Sequence, residues 1–149
     1  MRRRHAMAAK AALFVTLFFT LFVGLSAATA ATPASLQRDY AAEAERRQPG
    51  FRGFSAERGR RFFAEAHGND WRCTTCHTAD PTRAGKHAVT GRALRPLAPS
   101  SNPARFADAA KVEKWFRRNC RDVLDRECTA LEKGDVLAWL VSLPAGGAP

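Results

Sequence analysis

Cys73-Thr74-Thr75-Cys76-His77 lies near the middle of a 149-residue chain and carries its most specific chemistry. Two thiols at this spacing can each form a thioether with one vinyl group of a porphyrin. A histidine directly after the second thiol then has its ring under the metal. The spacing is that of c-type haem attachment, and imidazole is a good ligand for haem iron. Three other readings fit less well. A zinc half-site needs a second ligand pair at metal spacing, which Cys120 and Cys128, eight residues apart, do not make. A thioredoxin-like redox pair belongs at the end of a strand in a βαβ unit, and none is evident. A plain disulfide is possible chemistry, but an export leader, a helix before the motif, helical content and a long loop after it all agree with haem.

Upstream of the motif, Arg2, Arg3, Arg4 and Lys10 form a positive n-region, Ala11 to Leu25 is apolar and uncharged, and Ala28-Thr29-Ala30 fits an A-x-A cleavage site. Residues 1–30 are expected to be a cleaved signal peptide, with the mature chain beginning at Ala31 and the protein placed in the periplasm. The apolar run is short for a spanning helix, which needs about twenty residues. Arg2-Arg3 is a weak twin-arginine signal, because c-type haem is attached to an unfolded chain after export. Loss of the leader removes four of 24 basic residues and none of 14 acidic ones, leaving a net charge of +6. A moderately basic small domain suits docking to an acidic or anionic surface. Nucleic acid is excluded as a partner by export and by the spread of the basic residues. Both methionines, Met1 and Met7, also leave with residues 1–30.

A helix is expected from Ser35 to about Arg47, ended by Gln48-Pro49-Gly50. A second should start after Ser55 and reach about Ala66, with Gly59, Phe62, Phe63 and Ala66 in one stripe. Residues 31–50 read as an N-terminal helical extension and 51–149 as the main domain. From Thr78 to Ser101 the chain reads as loop; one so long needs a reason, and wrapping a large rigid cofactor supplies it. Asn102-Pro103 looks like N-cap and N1 of a helical segment, and a further helix is expected from about Ala107 to Arg118. The last helix opens on the capping box Thr129-Ala130-Leu131-Glu132, buries Val136, Trp139, Leu140 and Leu143, and stops at Pro144. No segment alternates like a strand, so the fold is all-α.

The second ligand of the iron is less plain. A methionine opposite the histidine is usual in electron carriers, and the mature chain has none. His67, His87, a lysine or an asparagine remain. Asn119 continues an apolar stripe through Val112, Trp115 and Phe116. Its amide could ligate iron weakly, or could cap the end of its helix. Cys120 and Cys128 are expected to pair as a disulfide worth roughly 2–3 kcal/mol, either for stability alone or to restrain the backbone beside Asn119.

At Cys73 to Asp80 (CTTCHTAD), Thr82 to Gly85, Pro96 to Ser100, Val112 to Cys120 (VEKWFRRNC) and Glu132 to Leu140 (EKGDVLAWL), the chain resembles the sphaeroides haem protein group of class I cytochromes c. The resemblance covers most of the mature chain. It implies one covalent haem c, N- and C-terminal helices crossing beside it, and a Cys120–Cys128 disulfide. It implies Asn119 as sixth ligand of ferric iron opposite His77, lost on reduction so that ferrous iron binds oxygen, nitric oxide or carbon monoxide. It further implies a dihaem cytochrome c as electron donor, with a membrane cytochrome b nearby in the electron path. Two departures stand out: Thr78 occupies a position where the family's characterised member has glycine, and Arg92 replaces a lysine.

The function that follows is electron exchange with diatomic-gas binding. A plain carrier with His67 or His87 opposite His77, or a docking subunit of a respiratory assembly, are the alternatives. No residue set reads as catalytic, although oxygen or nitric oxide chemistry stays open.

Overall fold

The computed structural model describes residues 30–68 and 70–145. The expected leader lies outside the described residues except for Ala30. The all-α expectation holds: α1 spans Pro33–Arg47, α2 Ala56–Ala64, α3 Thr74–His77, α4 Ala109–Leu124 and α5 Ala130–Ser142. None of the described helices is long and apolar enough to cross a membrane.

The last helix, α5, organises the core. Thr129 Oγ1 accepts from the Glu132 N–H at 3.2 Å, and the Glu132 carboxylate accepts from the Thr129 N–H at 2.8 Å. This reciprocal cap is the one its sequence announces. From that start, α5 buries Val136, Leu137, Trp139 and Leu140. Helix α2 lies against it so closely that side chains are excluded. A Cβ on Gly59 would sit 2.0 Å from the Asp135 carbonyl oxygen, and one on Gly134 would sit 2.1 Å from the Phe54 ring. The crossing is polar as well as apolar. Asp135 is buried, and its carboxylate accepts from the Ser55 N–H at 2.6 Å and from the Arg58 guanidinium at 2.7 and 2.8 Å. A buried charge so fully paired avoids the desolvation penalty of a lone one.

Helix α1 starts two residues earlier than expected, because Thr32 and Ser35 form their own capping box ahead of Pro33. Its Leu36 and Tyr40 join the core cluster that holds Phe63, Val136 and Leu140. Tyr40 Oη donates to the Glu113 carboxylate, which also accepts from Lys133 Nζ at 2.6 Å, so α1, α4 and α5 meet at one carboxylate.

Three local expectations need correction. First, α2 stops at Ala64, leaving Ala66 beyond its end. Second, α4 runs not from Ala107 to Arg118 but from Ala109, capped by Asp108, to Leu124. Asp125 ends it in the left-handed conformation, φ 58°, with its N–H bonded back to Arg121. The Cys120–Cys128 disulfide then ties its last turn to the start of α5. Third, the segment after the motif is not wholly loop: Gly85–Lys86 (β1) pairs antiparallel with Ala93–Leu94 (β2). Two residues a side are too few to show alternation. The Leu97 and Ala98 N–H groups then both donate to the Pro81 carbonyl, at 2.9 and 3.0 Å. A short 3₁₀ turn, Pro103–Phe106, leads into α4, and the Asn102 side chain, instead of capping it, donates to the Pro96 carbonyl at 2.9 Å.

Candidate haem-attachment site

The motif forms one tight helical turn. His77 and Thr78 donate backbone bonds to the carbonyls of Cys73 and Thr74, each at 3.0 Å, and Thr75 Oγ1 accepts from the Arg72 N–H at 3.1 Å. On such a turn residues three and four apart share a face, so Cys73, Cys76 and His77 are presented together. Both thiols are free and half-buried. Burial pushes the Cys73 thiol up to about 12, so it rests as the neutral SH rather than as a reactive thiolate. Burial, together with the nearby charges of Arg105 and His87, brings His77 down to about 4. Its imidazole is therefore neutral at physiological pH, the form a metal needs.

Two walls hold this turn. On one side Phe63 of α2 places its ring 6.3 Å from the His77 ring and 5.0 Å from Trp139 of α5. On the other, β1 lies on the motif backbone: a Cβ on Gly85 would fall 2.1 Å from the Cys76 carbonyl oxygen and 3.0 Å from His77 Cα. Only glycine fits there. The Ala88 N–H points to Cys76 Sγ at 3.3 Å. Thr78, directly after the histidine, has φ 62°, which explains why glycine would serve at this position. Threonine is accommodated because its Oγ1 accepts from the Asp80 N–H at 3.1 Å and donates to the Asp80 carbonyl at 2.8 Å. Bonds from Thr82 to the Asp80 carboxylate, which hold that carboxyl below its usual range, complete the turn.

Asn119 sits five residues before the end of α4, so the helix-cap role is ruled out. It is half-buried beside buried Val112 and half-buried Phe116. Its amide makes no side-chain hydrogen bond among the described residues, and its polar atoms reach solvent. Cys73 and Phe116 pack on the same apolar cluster, so the motif and the Asn119 stripe border one core. Among the other ligand candidates, His67, His87 and Lys133 have partners, whereas Lys86, Lys111 and Lys114 have none among the described residues. His67 Nε2 lies 2.8 Å from the Phe62 carbonyl with its ring against the Phe62 ring. His87 Nδ1 accepts from the Thr90 N–H at 3.2 Å in the β1–β2 turn. Lys133 is bound to Glu113.

The donor set suits a haem and not a zinc ion. Among the described residues no cluster of three or more His, Cys, Asp or Glu could hold a metal ion, and Cys120 and Cys128 are bonded to each other at 1.99 Å. Arg105, which sequence reasoning missed, adds to the fit. It is half-buried with no carboxylate partner among the described residues, and burial together with the like charge of Arg95 lowers its pKa. Carboxylates such as porphyrin propionates would relieve that strain. Nothing local in the sequence marks Arg105, since its lack of a partner is a property of the folded chain.

Residues 49–140 match the family model described as a domain of unknown function, DUF1924. The cytochrome c-type protein SHP of Cereibacter sphaeroides is 52% identical over 91 residues, which cover 58% of this chain and 70% of that one. Cytochrome c'' of Methylophilus methylotrophus is 40% identical over 82 residues, 55% of this chain and 57% of that protein. Among solved structures, oxidised SHP, described as an oxygen-binding cytochrome c, aligns with a TM-score of 0.66 at 46% identity, covering 76% of this chain and 99% of its own. Oxidised cytochrome c'' from Methylophilus methylotrophus aligns at 0.67 and 33% identity, covering 74% and 93%.

Proposed function

Since this chain belongs to the DUF1924 family and is a class I cytochrome c of the sphaeroides haem protein type, we propose that it exchanges electrons with a partner cytochrome and binds a diatomic gas. It carries one covalently bound haem c. That group supplies a one-electron change at iron and a coordination position for a gas. The chain's residues do the rest. Cys73 and Cys76 hold the porphyrin through two thioethers, and His77 gives its neutral imidazole as the proximal ligand. Asn119 would offer its amide oxygen as a second, weak ligand to the iron. Phe63 and Trp139 pack their rings beside His77 and would hold its imidazole in place. Arg105, with Arg95 beside it, meets the propionates.

The observation that carries this reading is the place of Asn119, mid-helix and half-buried one turn from Phe116, which packs on the same apolar cluster as Cys73. A weak oxygen ligand is easily lost, which suits a site that opens on reduction. The relatives support it: SHP is an oxygen-binding cytochrome c, and the solution structure of Methylophilus methylotrophus cytochrome c'' concerns haem-ligand detachment. We place the protein in the periplasm after cleavage near Ala30, with a dihaem cytochrome c and a membrane cytochrome b in its electron path. Mass spectrometry of exported protein, with a first residue of Ala31, checks the cleavage.

Carbon monoxide added to the dithionite-reduced protein should shift the Soret band within mixing time. Asn119→Ala should lose the six-coordinate ferric spectrum while keeping covalent haem. No carbon monoxide shift, with low-spin spectra in both oxidation states, would establish a plain carrier with stable six-coordinate iron instead.

A further inference from the structure

The outer face of α4 carries a feature that the site does not use. Lys111, Lys114, Trp115 and Arg118 fall at i, i+3, i+4 and i+7, so they form one stripe. All are exposed, Trp115 at 38%. The Arg118 guanidinium carbon lies 5.3 Å from the centre of the Trp115 ring, within cation–π range. None of the three cations has an ion-pair partner among the described residues. Five of the six arginines of α1 and α2 behave otherwise: Arg46 and Arg47 pair with Glu43, Arg60 and Arg61 with Glu57, and Arg58 with Asp135, while Arg38 has no pair among the described residues. Arg117 flanks the stripe, also without a pair, and Asp122, one turn further on, carries the opposite charge.

We propose that the Lys111–Lys114–Trp115–Arg118 face of α4 is the docking surface for an acidic redox protein, with Trp115 as its anchor. Unpaired cations supply long-range attraction and orientation. A half-exposed tryptophan held by an arginine supplies the desolvated centre, the residue pair most often dominant in interfaces. A second copy of this chain is a poor occupant, because the same cations would face one another. The position matters. Trp115 and Phe116 are neighbours on α4, and Phe116 packs on the same apolar cluster as Cys73, so a partner seated here lies close to the attachment motif. The inference rests on the electron-exchange reading but not on Asn119 as ligand. Its test therefore reads contact rather than gas binding.

The holoprotein, ¹⁵N-labelled on its tryptophans, is titrated with an oxidised acidic flavodoxin at low and high salt. The Trp115 indole N–H line, assigned with W115F, should move, and that of buried Trp139 should stay. K111Q/K114Q/R118Q should weaken binding about tenfold or more, whereas R83Q/K86Q/R92Q, an equal charge change in the loop, should alter it less than about twofold. Stopped-flow reduction by the flavodoxin hydroquinone should slow in parallel, while reduction by a small neutral flavin should not. One electron passes from the anionic flavin hydroquinone to ferric iron, leaving the neutral semiquinone, and no bond forms or breaks. Equal loss in the two triple variants, a static Trp115 line, or equal slowing with the neutral flavin overturns the proposal. So does a Trp115 line that moves only with anionic lipid vesicles.

Discussion

The chain has two cysteine pairs, and the structure treats them in opposite ways. Cys73 and Cys76 lie three apart on one helical turn, face the same way and are not bonded to each other. Cys120 and Cys128 lie eight apart on either side of a helix end and are joined, with Cα atoms 5.6 Å apart. The first pair is displayed under a glycine-lined loop; the second is spent on holding α4 to α5. The lesson is that cysteine count says little here, and placement on or across an element says what each thiol does. The joined pair ties the last part of α4 to the residue before the α5 cap.

The strongest test removes the free pair. Cys73→Ala/Cys76→Ala, coexpressed with the maturation machinery, should give a colourless product of unmodified mass, while free-thiol labelling finds no reactive sulfur at Cys120 or Cys128. Cys120→Ala/Cys128→Ala should do the reverse: haem stays attached, but guanidinium unfolding shows a loss of about 2–3 kcal/mol. Gly85→Ala should sharpen the contrast, because its new methyl meets the Cys76 carbonyl at 2.1 Å. A cost of about 1–2 kcal/mol is expected, with haem attachment reduced and the disulfide intact by mass.

The smallest effect belongs to the cap that follows the joined pair. Burial raises the Glu132 carboxyl, but bonds from Arg126 and the Thr129 N–H outweigh it and hold it below the ordinary 4.5. Its contribution is therefore complete above pH 4.5 and is lost as the pH falls through the lowered folded value. Glu132→Gln should cost about 1 kcal/mol at pH 7 and flatten that part of the stability curve, measured by denaturant unfolding across pH 3–7.

Features set by neighbours along the chain are legible in the sequence alone: the motif turn and the α5 capping box; the apolar stripe expected through Val112, Trp115, Phe116 and Asn119 is broken, since Trp115 is exposed. Where α4 ends is not legible there, because its last turn depends on a left-handed Asp125 and on a tether to Cys128 across the helix boundary. A helix ending at Arg118 keeps open a cap role for Asn119 that the longer helix removes. His67 is available as a ligand by sequence, but the folded chain sets its ring onto Phe62 and its Nε2 against that residue's carbonyl. Asn102 takes the N-cap position its sequence announces, but its side chain makes no cap bond and its amide donates to the Pro96 carbonyl. Such choices are made by tertiary contact, which no local pattern encodes.

The seating of Gly85 on the motif sets a schedule for biogenesis. Once the β1 backbone has closed against the Cys76 carbonyl and Ala88 has turned its N–H to that sulfur, the thiol is screened from one side. Stitching a rigid macrocycle to it must come first, and closure of this strand afterwards seals the product. A chain that closed this strand first would offer the macrocycle a thiol already screened on that side.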